Sequence, residues 1–249
     1  MSWPPDRRRR GRRIISRAPA SAAEGSRGDA TRRRLIEAGL MLFGKLGYDG
    51  VSTRALAKAA KVNLAAIPYH FGGKEGVYLA VVGHLAGTIA PPLQALVQEI
   101  DRDLALARTR PEIEALLARF IATMARIMLG GEQRALRARF MMREQLQPTA
   151  AFDHLYARFI EPVHRCVTRL VGRLLEAEPE DPATILRAHA LFGQILAFAV
   201  AQATIRRRLG WKGDYTPEQI ERIASIIVET TLAALNTRLA PLRRVAKAK

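Results

Sequence analysis

Residues 31–74, TRRRLIEAGLMLFGKLGYDGVSTRALAKAAKVNLAAIPYHFGGK, decide the fold. Leu35, Leu42, Phe43 and Leu46 recur at helical spacing and form one apolar stripe behind a start rich in arginine. Gly47 follows where a left-handed C-terminal residue is wanted. Ser52 is placed to cap a second helix, Thr53 to Ala60, with Leu56 and Ala57 inward and Arg54 and Lys58 outward. After the Lys61-Val62 turn, Asn63 caps a third helix that ends near Tyr69-His70-Phe71. Two brief helices joined by a few residues and set on a longer one make the helix-turn-helix plan, whose third helix enters a DNA major groove.

The same residues resemble the N-terminal domain of TetR-family transcriptional repressors. The resemblance is carried by Ser52, Leu56-Ala57, Ala59-Ala60-Lys61-Val62-Asn63, Tyr69-His70-Phe71 and Lys74-Glu75, in order and at matching spacing. Two positions depart from that family's pattern: Lys61, where glycine is usual, and Pro68, where an aromatic is usual. Pro68 removes an N–H and disfavours helical angles at Ile67, so the third helix is expected to be short or distorted.

Composition points to an all-α chain: aromatics are 6%, apolar residues 49%, and long runs of β-branched residues are missing. The 249 residues suffice for one larger domain, or for a small and a medium one. No run of 18 apolar residues occurs, and the arginines of residues 7–13 are not followed by a signal-type apolar segment. A single cysteine, Cys166, excludes an internal disulfide framework and suits a reducing cytoplasm. The net charge of +17 is unevenly spread. Residues 1–80 hold 16 Lys/Arg against 6 Asp/Glu, and residues 238–249 hold five bases and no acid. The stretch between is nearly balanced, so the excess lies on the DNA reader and the two tails, the footprint of polyanion binding.

These features divide the chain into four parts. Residues 1–28 read as a disordered basic arm able to follow a minor groove, residues 29–76 as the helix-turn-helix domain, 77–237 as a helical effector-binding and dimerisation body, and 238–249 as a basic tail. Helix four starts at Gly73-Lys74-Glu75 and is expected to kink or break at Pro91-Pro92 before resuming from Leu93 to Ala107. Amphipathic patterns then predict helices over Pro111–Leu129, Glu132–Leu146, Pro148–Leu174, Thr184–Leu209 and from Thr216 to about Asn236. Within this body MMREQLQPTAAFDHLY, LFGQILAF and RRRLGW resemble the C-terminal domain of the CecR-type subgroup of TetR regulators, over roughly residues 110–237. That resemblance implies repression and control of drug-efflux or stress genes.

For DNA, Asn63, Leu64, Ala65 and Ala66 are the expected base-reading edge, with Leu64 and the alanines suited to thymine methyls. Ser52, Thr53, Arg54, Lys58, Tyr69, His70 and Lys74 are the expected phosphate contacts; simple packing is the competing reading for Tyr69 and His70. For a small-molecule effector the candidates are Phe120, Met124, Phe140, Phe152, Tyr156, Phe159 and Phe198, although such a stripe equally describes plain core. Arg143, Glu144 and Gln194 are polar residues within apolar stretches; Arg143 and Glu144 either contact a ligand or pair with each other. Gly193, Ala197 and Ala201 at four-residue spacing, with Ile227, Val228 and Thr231, are the expected homodimer seam. No Gly-x-Ser-x-Gly, Walker loop, HExxH or Cys-x-x-Cys occurs, so no catalytic residue, metal ligand or cofactor is expected. The reading is therefore a cytoplasmic, homodimeric, ligand-responsive repressor on a palindromic DNA operator, with no membrane partner. The alternatives are a sequence-indifferent architectural DNA-binding protein and a peripheral protein on anionic membrane.

Overall fold

The computed structural model describes residues 21–131 and 133–237, with side chains from residue 28 onward. These residues contain no strand. The helices are α1 (Ser21–Leu46), α2 (Thr53–Ala60), α3 (Ala66–Phe71), α4 (Lys74–Leu106), α5 (Arg110–Leu129), α6 (Arg134–Leu146), α7 (Ala150–Leu155), α8 (Glu161–Leu175), α9 (Pro182–Val200), α10 (Gln202–Leu209) and α11 (Pro217–Asn236). A π-helical stretch, Tyr156–Ile160, joins α7 to α8. The all-α architecture is as expected, with α1–α3 forming a small reader and α5–α11 a larger body.

Several boundaries follow local chemistry. Gly47 ends α1 at φ +77°, its N–H donating to the Phe43 carbonyl at 2.9 Å. Thr109 and Glu112 form a capping box on α5, as Thr216 and Gln219 do on α11. Thr149 and Asp181 cap α7 and α9.

Other boundaries differ from expectation. The first helix begins at Ser21, so the last eight residues assigned to a disordered arm are helical. Beyond Pro19 that stretch holds no further proline, and Ala22, Ala23 and Glu24 are good helix formers. Residues 1–20 and the tail 238–249 lie outside the described residues. Helix four is unbroken at Pro91 and Pro92. The carbonyls these prolines leave without a donor, on Gly87 and Thr88, belong to exposed residues and are open to hydration. The domain boundary placed at residue 76 thus falls inside one continuous rod. Where one helix was expected from Pro148 to Leu174, the N–H of Glu161 reaches back five residues to Tyr156. Pro162 cannot donate to Arg158, and the turn widens just before it. The long helix expected from Thr184 to Leu209 parts at Ala201. There Tyr215 Oη donates to the Phe198 carbonyl at 3.1 Å and Gln202 Nε2 to that of Ala199 at 2.8 Å, so side chains complete the free helix end.

Helix α5 is the axis of the body. Leu117, Phe120, Ile121, Ala125 and Leu129 are fully enclosed, packed among α4, α8, α9 and α11. The reader docks on the body through α1, which packs along α6, and through α4, which it shares. By length and apolar composition α4 and α9 are each capable of crossing a membrane. In this fold α4 buries Val77, Val81, Leu85, Leu93, Leu96 and Ile100 against its neighbours, as a core helix does.

Candidate nucleic-acid interface

The reader is built from local signals. Ser52 Oγ accepts from Ala55 N at 3.1 Å, and Leu56, Ala57 and Ala60 turn α2 onto the core. At the end of α2, Lys61 adopts the left-handed region, φ 52° and ψ 48°. Asn63 caps the turn ahead of the third helix, its Oδ1 accepting from Ala65 N at 2.9 Å. Helix α3 itself begins three residues later and runs only from Ala66 to Phe71. Pro68 is tolerated because it lies in the first turn, where its missing N–H would have had no intrahelical partner. Ile67 is fully buried and anchors α3, and Gly72 closes it at φ +74°.

Ser52, Arg54, Lys58, Asn63, Leu64, Ala65 and Tyr69, from α2 through the turn to α3, are all exposed, and Thr53 and Ala66 are half-buried. Tyr69 is 83% exposed, so packing does not account for it. Leu64, 43% exposed, adds an apolar side chain beside the lysines and arginine. Two expected phosphate contacts are partly engaged within the chain. Lys74 Nζ donates to the Tyr48 carbonyl at 3.2 Å and lies 4.1 Å from the centre of the Tyr48 ring. His70 stacks edge-on with Tyr69, and its carbonyl accepts from Arg32 at 2.7 Å. Arg32, overlooked in the sequence, ties the start of α1 to the end of α3, its guanidinium 4.6 Å from the Phe71 ring centre. Leu46, expected inward on the α1 stripe, is 45% exposed; Leu40 is buried instead.

Behind the reader lies a seam with two cavities. The outer one, about 590 Å³, is lined by Lys45 of α1, by Arg139, Met142 and Leu146 of α6, and by Val200 and Gln202 at the α9–α10 joint. The inner one, about 310 Å³, runs between the end of α1 with its following loop, Phe43 to Gly50, and Tyr78, Phe140, Glu144 and Thr149. Arg143 lines both. It donates from Nη2 to the Lys45 carbonyl at 2.8 Å and from Nε to that of Gly44 at 3.4 Å, capping the C-terminal end of α1. Glu144, its sequence neighbour, is buried and accepts from the hydroxyls of Tyr78 and Thr149. The expected Arg143–Glu144 pair is thus not formed; consecutive helical residues diverge by about 100°. Burial, reinforced by the hydrogen bond to Glu144, holds the Tyr78 phenol above its ordinary range.

The effector residues expected from sequence are only partly gathered at this seam. Phe140, Arg143 and Glu144 are there; Phe120, Met124, Phe152, Tyr156, Phe159, Gln194 and Phe198 line neither cavity. Phe120, Met124 and Phe159 are packed into the core. Gln194 is a clamp between α9 and α11, accepting from Thr230 at 2.9 Å and donating to Thr231 at 3.3 Å. Tyr48, Asp49, Tyr78 and Thr149 line the inner cavity as well, and no local pattern marks residues that meet only when α1, α4 and α6 are packed. The residues of the expected dimer seam divide into two sets. Gly193, Ala197 and Ala201 are exposed, whereas Ile227 and Thr231 are buried in the chain's own core and Val228 is half-buried against it. Helix α11 packs along α5, which takes that face.

A helix-turn-helix reader on a shared rod, with an all-helical body carrying a seam cavity, defines a DNA-binding regulator. Comparison with known proteins agrees. Residues 35–81 match the model of bacterial regulatory proteins of the tetR family, and residues 113–237 that of the C-terminal domain of the HTH-type transcriptional dual regulator CecR. The chain is 33% identical over 215 residues to the HTH-type transcriptional dual regulator CecR of Shigella flexneri, covering 85% of this chain and 96% of that one. It is 33% identical over 70 residues to the HTH-type transcriptional repressor AcnR of Corynebacterium glutamicum, covering 28% and 37%. Among solved structures, AibR in complex with isovaleryl coenzyme A and operator DNA shares the fold at a TM-score of 0.56 and 15% identity, covering 80% and 97%. The chain belongs to the TetR family of bacterial regulatory proteins, and its C-terminal domain is of the CecR type. It is a transcriptional regulator and not an enzyme.

Proposed function

We propose that this protein is a cytoplasmic, ligand-responsive repressor that binds a palindromic operator as a homodimer. The observation that carries the reading is the reader surface. Exposed Arg54 and Lys58 are set to hold phosphates, while Leu64, Ala65 and Tyr69 face outward on and before α3, where base edges are met. With few hydrogen-bonding side chains there, specificity rests on methyl contacts and DNA shape, and phosphates supply most of the affinity. The second copy docks on the face of α9 that carries exposed Leu186, Ala190, Gly193, Ala197 and Val200, together with Ile226 and Thr230 of α11. Such an apolar face on two adjacent helices supports a two-fold four-helix contact. Two readers in that arrangement address half-sites about 34–36 Å apart.

The effector acts at the seam. A ligand between α1 and α6 favours the reader spacing that does not fit both half-sites, and so shifts the population off DNA. Drug-efflux or stress genes as targets rest on the CecR resemblance alone. The test is selection of genomic fragments by purified protein at physiological salt. A palindromic motif, with binding weakened by an effector, is expected. Uniform recovery without a motif refutes operator recognition and favours the architectural alternative.

A further inference from the structure

The outer seam cavity is open to solvent, and its chemistry is one-sided. Its volume of about 590 Å³ accommodates a small organic molecule. On α6, Met142 and Leu146 lie three and seven residues after Arg139, so all three project from one helix face, away from the side that buries Phe140 and Glu144. Leu146 is 73% exposed, and Val200, at the end of α9, is 47% exposed. Apolar side chains gathered at an open groove mark a binding surface.

The charged groups that line this cavity are Lys45 of α1 and Arg139 and Arg143 of α6, and among the described residues none of the lining is acidic. Arg143 is committed to the carbonyls of Lys45 and Gly44. Lys45 and Arg139 are exposed, and among the described residues neither side chain has a hydrogen-bond or salt-bridge partner. They flank one crossing, because α1 meets α6 at a glycine. A Cβ on Gly44 would lie 3.5 Å from the Leu136 carbonyl oxygen and 4.0 Å from the Cβ of Arg139. That contact sets Arg139 beside the Gly44-Lys45 end of α1. Three positive groups on one groove raise its potential, which draws an anion in. A guanidinium also offers a carboxylate two parallel N–H donors.

We propose that this cavity binds a small amphipathic anion, an aryl- or alkylcarboxylate, whose head is received by Arg139 and Lys45 and whose apolar part lies along Met142 and Leu146 toward Val200. A neutral or cationic molecule of the same shape binds less well, because it leaves the basic edge unmatched or is repelled by it. A simple anion also binds less well, because it covers none of the apolar wall. Val200 is the last residue of the α9 face proposed for the second copy, so the two surfaces meet there. Lys45 stands on the reader and the other side chains on the body, so occupancy alters how α1 sits on α6. That last step rests on the effector-responsive reading above; the binding itself does not.

The experiment is isothermal titration of the full chain, without DNA, with phenylbutyrate and octanoate, using phenylbutanol, phenylbutylammonium and acetate as neutral, cationic and head-only controls. One site per chain is expected, with phenylbutyrate binding roughly tenfold or more tighter than any control. Arg139→Gln and Lys45→Gln change exposed side chains and are each expected to lose roughly fivefold or more in anion affinity. Arg222→Gln, at an exposed position of α11 that does not line the cavity, is expected to change nothing. Equal binding of phenylbutyrate and phenylbutanol overturns the site, as does no binding of either anion. Affinity that survives in both Arg139→Gln and Lys45→Gln overturns it as well. An equal loss in Arg222→Gln also overturns it, since the net charge of +17 then accounts for the attraction. Leu146→Asp is expected to lose anion binding with sedimentation unchanged; a shift toward monomer means that a second copy covers the groove, and overturns the proposal. Operator affinity is then measured with and without phenylbutyrate. Binding that leaves operator affinity unchanged keeps the site and refutes its role in regulation.

Discussion

Lys61 is the residue at which the reader is locally strained. It holds φ 52° and ψ 48° at the end of α2. Its N–H closes on the Lys58 carbonyl at 3.2 Å, and the Val62 N–H closes on that of Ala57 at 3.0 Å. This paired closure leaves no freedom to relax the angle. An L-residue in that region costs about 1–2 kcal/mol, because Cβ crowds the following carbonyl. Glycine removes the crowding but returns about 0.4–1 kcal/mol through greater freedom of the unfolded chain. Removing the exposed lysine charge from a helix C-terminus costs about 0.3 kcal/mol more. Comparing Lys61→Gly with Lys61→Ala cancels the charge loss, since both variants share it, and isolates the backbone effect. The glycine variant is expected to be more stable than the alanine variant by about 0.5–1 kcal/mol, toward fivefold in the opening equilibrium. Native-state hydrogen exchange of the α2 and α3 amides reads this directly, whether or not the reader opens apart from the body. Equal protection in the two variants, or better protection with alanine, would refute the assignment of strain to this residue.

Three further outcomes follow from the geometry. Lys58→Ala is expected to weaken binding to all DNA sequences alike and to lower the slope of log affinity against log salt by about 1 in fluorescence anisotropy; an unchanged slope removes Lys58 from the phosphate contacts. Burial pushes the Cys166 thiol up to about 12, from 9.0 when free, and raises the Tyr78 phenol as well. The stability these protonated groups contribute is complete below pH 9 and is lost as pH rises toward 12, so urea midpoints should fall over that window, and less steeply in Cys166→Ala. A flat alkaline limb in the parent protein contradicts this. Ile227→Ala is expected to cost about 2–4 kcal/mol through a cavity in the protomer's own core. Ile226→Asp, on the exposed neighbouring face, is expected instead to shift sedimentation toward monomer with little change in helix content. The reverse pattern would restore Ile227 to the interface.

The reader was legible in the sequence because its signals are local. The Ser52 cap, the Gly47 stop, the spacing of Leu56, Ala57 and Ala60, and the outward Arg54 and Lys58 each depend on residues within one or two turns. They hold wherever the rest of the chain goes. The same is true of the Thr109 and Thr216 capping boxes and of the short third helix that Pro68 foretold. Periodicity failed where two faces of a helix are both apolar. On α11 Ile226, Ile227 and Val228 stand in succession, and only the presence of α5 made Ile227 core and left Ile226 outside. Along α9 the apolar pattern runs on, and the break at Ala201 depends on Tyr215 arriving from a later loop to take the Phe198 carbonyl. Arg143 and Glu144 make the same point. As neighbours of opposite charge they invite pairing on paper. Tertiary structure sends one to the carbonyl end of α1 and the other inward to Tyr78, because adjacent helical residues face different elements. The sequence by itself thus determined the all-α class, the caps and turns of the helix-turn-helix and the family. Tertiary structure alone decided the seam cavity and the choice of buried face, since both are made by groups far apart in the chain whose meeting no local spacing encodes.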